Sequence, residues 1–268
     1  MTPPLLTLLD LAIAASLLLL NAAISWAFRL GLEKRLAVTA LRMVVQLALV
    51  GVLLQVLFAQ SSPVWTGVMA LVMAAAAGHE VVSRQRQRLT GFAPYVIGTG
   101  TLLFVGTLFT VIAVAGLIGA EPWTSPRFFL PILGMVLGNA MTGVSLVLDA
   151  VTGAAERERG AIEARLALGA TRFKAFDGVL RRGLETGLMP ILNAMAVAGV
   201  VSLPGMMTGQ ILAGSDPLEA AKYQMMILFV IAGATALCVV LAGFAAVWLL
   251  TDDRHRLRLD RLAAAQAK

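Results

Sequence analysis

The chain has 268 residues, of which 59% are hydrophobic and 13% charged, and its net charge is +6. With a mean hydropathy of +0.87, this composition excludes a soluble globular domain and reads as an all-α, polytopic membrane protein. The single cysteine, Cys238, excludes an internal disulfide and a cysteine-cluster metal site. Within a long apolar run it reads as an inert packing residue.

A helix needs about 20 apolar residues to cross the hydrocarbon core of a bilayer. Seven stretches qualify: about 5–28, 36–59, 64–82, 92–119, 128–150, 187–213 and 223–250. No cleavable signal peptide is expected. The start lacks a basic region, and the first apolar run has no small-residue cleavage site before Trp26 and Arg29. The turn Gln60-Ser61-Ser62-Pro63 separates the second and third spans. The connection 119–127 is short, with two prolines and an interfacial Trp123. The stretch 215–222 starts a helix well: Ser215 or Asp216 can cap it, Pro217 suits its first turn, and Glu219 favours its positive end.

Nineteen of the 21 Lys and Arg residues lie around the 1–2, 3–4 and 5–6 connections and in the tail 251–268, leaving only Arg127 and Lys222 for the alternate connections. Positive connections stay in the cytoplasm. The seven-span reading therefore places the N-terminus outside and the C-terminus in the cytoplasm. The positive charge reports topology, and no nucleic-acid partner is expected.

The sixth stretch is interrupted. Pro204 and Gly205 fall inside an uncharged run from Thr186 to Ser215. Proline removes a backbone donor and clashes with the preceding turn. A broken helix survives in hydrocarbon only inside protein or beside a water-filled cavity. Beside the break lie Met206, Met207, Thr208 and Gln210, which offer soft sulfur, a hydroxyl and an amide. Polar groups beside a broken helix at depth are what transport paths use. The same residues also fit a simple proline kink with methionine packing and a Gly205-to-Gly209 helix contact.

Only one connection is long, 152–186. Residues 154–168 read as a helix that Gly169 stops, and Thr171 can cap a second one. There Phe173, Phe176, Leu180 and Leu184 recur at helical spacing, opposite Arg172, Lys174, Arg181 and Arg182. This helix–glycine–helix elbow suits a knob for a cytosolic partner. It equally suits an amphipathic helix lying on anionic membrane lipid.

Glu163-Ala164-Arg165 followed by Gly169 keeps the Glu-Ala-x4-Gly spacing of the cytoplasmic coupling loop of ABC-transporter permeases, with Arg165 in place of the usual second alanine and the downstream proline later, at Pro190. The run from Ala164 through ARLALGATRFKAF, then NAMAVAGVVSLPGMMTGQILAGSDPLEAAKYQMMI, resembles the FetB-type iron-export permeases, whose plant relatives are implicated in aluminium tolerance. The resemblance is sharp over about 163–231. It implies one transmembrane permease domain over 1–268 in the inner (plasma) membrane, with a coupling loop at 152–186. It also implies a homodimer of the permease working with a separate cytosolic ABC ATPase that holds ATP and Mg, with no cofactor in this chain. The absence of a G-x-x-x-x-G-K-[ST] phosphate loop agrees. On this resemblance Glu163, Ala164, Arg165, Gly169, Thr171 and Phe173 couple to the ATPase. The path is lined by the segment Pro204, Gly205, Met206, Met207, Thr208 and Gln210, with contributions from Asn193 and Gln224, and the cargo is iron or a metal chelate.

Other polar residues have structural readings. His79-Glu80 is a metal or proton-relay pair, or Glu80 pairs with Arg84 one turn on. Arg42 and Gln46 snorkel. Asn139, beside Gly134 and Gly138, joins helices by hydrogen bonds. An enzyme is disfavoured, since neither G-x-S-x-G nor H-E-x-x-H occurs. An ion-driven secondary transporter is the rival reading. It would want an inverted repeat and an intramembrane carboxylate, whereas the carboxylates here lie near span ends.

Overall fold

The computed structural model describes residues 7–60, 62–85, 90–91, 93–252 and 254–262. Among these residues ten α-helices follow one another: α1 (Leu8–Ala27), α2 (Glu33–Gln60), α3 (Pro63–Arg84), α4 (Ala93–Val111), α5 (Pro126–Arg157), α6 (Arg159–Ala167), α7 (Arg172–Ala175), α8 (Asp177–Val197), α9 (Gly205–Leu212) and α10 (Pro217–Leu249). A π-helical turn, Ile112–Ile118, extends α4, and Gly119 ends it in the left-handed region at φ 67°. Among the described residues six helices are long and apolar enough to span a membrane: α1, α2, α3, the α4 segment, α5 and α10. The stretch expected as a further span is divided between α8 and α9.

The start of α10 follows the capping logic of its sequence. Asp216 is the N-cap, and its carboxylate accepts from the Leu218 and Glu219 amides at 2.9 and 3.1 Å. Pro217 takes the first position, where a missing N–H costs nothing.

The core is built on α5, which buries residues from Pro126 to Ala155 along its length. It packs against α3, α4, α8 and α10. Glycines let three of these backbones come close. A Cβ on Gly187 of α8 would stand 2.9 Å from the Gly143 carbonyl oxygen of α5 and 2.9 Å from Val239 of α10. One turn down, a Cβ on Gly183 would meet Val151 at 2.7 Å, and one on Gly243 would meet Leu180 at 3.0 Å. These pairings run α8 antiparallel to α5 and α10. On the other side, Met73 of α3 faces Gly134 of α5.

By contrast, α1 and α2 sit at the periphery. Leu57 is the one buried residue of α2 among the described residues. An amide of Asn139 donates to Met135 of its own helix at 2.8 Å, so the expected interhelical bond is replaced by a bond within α5.

After α10 the chain hooks back. The Arg258 amide donates to the Leu250 carbonyl at 2.8 Å, and the Arg261 guanidinium caps the Leu249 carbonyl at 2.7 Å. A cation there complements the negative end of the helix dipole. Thr90 then donates to the Arg261 carbonyl through both amide and hydroxyl. Backbone and guanidinium bonds from Arg256 hold the Asp252 carboxyl below its ordinary range.

Candidate substrate path and coupling elbow

The elbow is folded as a helix–glycine–helix unit, with a short α7 inserted. Gly169 sits at φ 87°, a region that side chains disfavour, so glycine is the residue for this corner. Thr171 occupies the N-cap position of α7 with extended backbone, without a side-chain cap bond. Arg165 donates to the Ala175 carbonyl at 3.1 Å and ties α6 to the end of α7. Arg182 of α8 pairs with Glu158 at the α5–α6 junction.

The expected apolar stripe points inward. Phe176 is fully buried, Leu180 nearly so, and Leu184 is half-buried against the core. The Phe173 ring packs on Phe244 of α10, 5.3 Å between centroids. The outward surface is instead that of α6. Ile162 is fully buried, whereas Glu163, Ala164, Arg165, Ala167 and Leu168 are exposed, Leu168 by 89%. Glu163 forms an exposed ion pair with Arg159 at 2.9 Å. Leu168 was not singled out from sequence. Its signal was its place immediately before the corner glycine, where a side chain has nothing behind it to pack on.

The break in the α8–α9 segment begins earlier than the proline. The last helical residue of α8 is Val197, and Gly199 lies at φ 82°. The Val197 carbonyl accepts from the amides of Val200, Val201 and Ser202, and Gly199 donates to Ser202 at 2.9 Å. The loop thus satisfies most of its own donors. Pro204 and Gly205 are not a kink in one helix: Pro204 is the N-cap of α9 and Gly205 its first residue. Val200 and Val201 are exposed by 88% and 80%. Gly205 and Gly209 face open space, so their expected helix contact is not made within this chain.

Among the expected path residues, Met206 packs against the core and Met207 is half-buried. The Thr208 hydroxyl donates to the Pro204 carbonyl at 3.2 Å, so it serves its own helix. Gln210 and Gln224 differ, because each buries a carbonyl oxygen that has no hydrogen-bond partner. Gln224 is only 7% exposed. Thr99 and Thr235 bury unpartnered hydroxyls elsewhere. Asn193 is exposed on α8.

Arg42 does not simply snorkel, since it bonds Glu80 of α3 at 3.3 Å. The side chain of Arg84 lies outside the described residues, and His79 is exposed. Among the described residues no group of three His, Cys, Asp or Glu could hold a metal ion.

The profile of the uncharacterised protein family UPF0014 matches residues 8–249. The chain is 30% identical over 257 residues to the probable iron export permease protein FetB of Escherichia coli, covering 94% of this chain and 95% of that protein. It is 32% identical over 238 residues to the UPF0014 membrane protein YjkA of Bacillus subtilis, covering 87% and 92%. It is 34% identical over 223 residues to Protein ALUMINUM SENSITIVE 3 of Arabidopsis thaliana, covering 83% and 80%. No solved structure matches. With six membrane-length helices and a family match across nearly the whole chain, this multi-pass membrane protein belongs to the UPF0014 family.

Proposed function

We propose that the chain is the membrane subunit of an ATP-driven exporter that moves iron or a metal chelate out of the cytoplasm. ATP and Mg sit on a separate cytosolic ABC ATPase, which docks on the outward face of α6 around Glu163, Ala164, Gly169 and Leu168. The observation that carries this reading is mechanical. Arg165 ties α6 to the end of α7, and Arg182 ties the α5–α6 junction to α8, which runs through the glycine-packed core into the break before α9. A push on α6 therefore has a rigid rod to travel along and a loop on which to act. The FetB relative bears the name of a probable iron export permease, which supports the direction and cargo.

In this reading α8 and α9 together form a seventh, broken crossing. Helices of 21 and eight residues measure roughly 31 and 12 Å at 1.5 Å per residue, against a hydrocarbon core of about 30 Å. The N-terminus is then outside. The exposed valines of the break and the uncovered Gly205–Gly209 face meet a second copy of the chain, because lipid cannot serve irregular backbone. Gln210 and Gln224 present their free carbonyl oxygens to the cargo path.

The test is co-purification of a cytosolic ATPase with the tagged full-length chain, compared with Glu163→Lys combined with Leu168→Asp. Both positions are exposed, so the variant keeps its fold. The wild type is expected to retain the ATPase and the variant to lose it. Failure of the wild type to retain any ATPase, with or without nucleotide, overturns the reading.

A further inference from the structure

A cleft of about 970 Å³ lies outside the α8–α9 path, between the first four turns of α2, the second half of α3 and the middle of α5, within the size range of small-molecule sites. We propose that this cleft is an entry vestibule selective for small organic anions bearing a carboxylate or phosphate group. The proposal deepens the export reading and rests on it for one point, that the cleft opens toward the cytoplasm.

The shape follows from the helix registers. Only residues 61 and 62 stand between α2 and α3, and Leu57 near that end is the buried anchor of α2. Toward the elbow end the two helices part, and the cleft fills the gap. Arg35, Arg42 and Gln46 lie on one face of α2, 11 residues from first to last, which is roughly 16 Å of depth. Opposite stand Glu80 and Met73 of α3 and Met141 of α5.

The charge set decides the ligand class. Among the described lining residues two guanidiniums face one carboxylate, and that carboxylate already holds Arg42. Arg35 has no hydrogen-bond or ion-pair partner among the described residues. Guanidinium cannot lose its proton and donates only, so the cleft repels a bare metal cation and offers forked donors to an oxyanion. Gln46 adds an amide deeper in, and the methionines supply an apolar wall that accommodates an organic body. A metal cargo would then enter as an anionic chelate. A lipid headgroup shares the oxyanion chemistry at Arg35. Its acyl chains, however, would leave Arg42, Glu80 and Gln46, up to three turns deeper, facing hydrocarbon. We therefore commit to a soluble anion.

The test uses the full chain in phosphatidylcholine nanodiscs, with Thr39→Cys as a reporter on the lining between the two arginines. The native Cys238 is fully buried and gives no background. Two methanethiosulfonate reagents are compared, one carrying a sulfonate and one a trimethylammonium group. Rates are normalised to those with a free small thiol. The anionic reagent is expected to react about tenfold faster than the cationic one, as charge focusing in a cleft allows. Adding Arg35→Gln and Arg42→Gln should remove that preference. Arg35→Lys with Arg42→Lys should keep it, which separates lost charge from lost fold. Equal or cation-favoured rates in the parent, no labelling by either reagent, or an unchanged preference in the glutamine variant each overturn the proposal. So does loss of labelling when about a third of the lipid is anionic phosphatidylglycerol, since that assigns the cleft to headgroups. Labelling requires neither ATPase nor transport. A missing ATPase partner would thus sink the export reading and leave the anion preference standing, while the reverse result would sink the vestibule alone.

Discussion

Gln210 and Gln224 separate structural from functional roles for polar residues at depth. A buried amide that makes no bond carries its desolvation penalty without return, so replacing it with an apolar group of similar size is neutral or stabilising for the fold. Gln210→Leu and Gln224→Leu are expected to leave the thermal unfolding midpoint unchanged or raised, while lowering efflux in a reconstituted complex by about tenfold or more, the scale of one lost polar contact to cargo. A clear fall in the midpoint would show that the amides hold the structure, and the path assignment would go. Their residue type was readable in the chain, as was the place of Gln210 just past the break. Their unpartnered state was not, because it depends on which groups α10 brings to α9. Thr208 shows the other side of the same limit: its hydroxyl had the right chemistry for a path but turned back to the Pro204 carbonyl, a local bond that threonine makes readily in helices.

Among the elements, the α5–α8–α10 crossing is the part that must be stiff. Gly187→Ala adds one methyl group where the Gly143 carbonyl oxygen and Val239 each stand 2.9 Å away. Backbone cannot yield as a flexible side chain does, so the expected cost is about 1–3 kcal/mol, read as a lowered midpoint in detergent. Gly51→Ala on α2 is the matched control, since nothing lies within 4 Å of that position. An equal loss in both would contradict the packing account. The long apolar helices, the Gly169 corner and the Asp216 cap were all legible, because each is set by residues close in sequence. The onset of the break was not. Pro204 announces a boundary, but a proline preceding a helix belongs to the start of that helix, and the end of α8 was fixed by Gly199. The direction of the Phe176–Leu180 stripe was likewise hidden. Periodicity marks an apolar face without naming what covers it, and here α5 and α10 cover it.

For the whole molecule, the contrast is between a packed centre and a loosely held edge. α5 and α10 are buried along much of their length, whereas α1 and α2 touch the rest through a few turns. Local stability follows buried contact, so amides of α1 and α2 are expected to exchange with deuterium in detergent at least about tenfold faster than those of α5 and α10. Uniform exchange would mean that the hairpin is locked by contacts beyond those described. Charge alternation speaks only to the sidedness of the connections, and it carries no information on how tightly any one helix is held.

Only residues 61 and 62 stand between α2 and α3, and that has a mechanical consequence. A 28-residue helix pivoting at one end is a lever roughly 42 Å long. A swing of ten degrees would carry its far end by about 7 Å, more than the roughly 5 Å width of a helix backbone. The Arg42–Glu80 bond crosses that moving gap part of the way along, and a partly exposed ion pair of this kind is worth only about 0–1 kcal/mol. That bond adds only a thermal-scale energy to whatever else holds the gap, so in the anion-vestibule reading a charged guest competing for one guanidinium would loosen one of the ties across it.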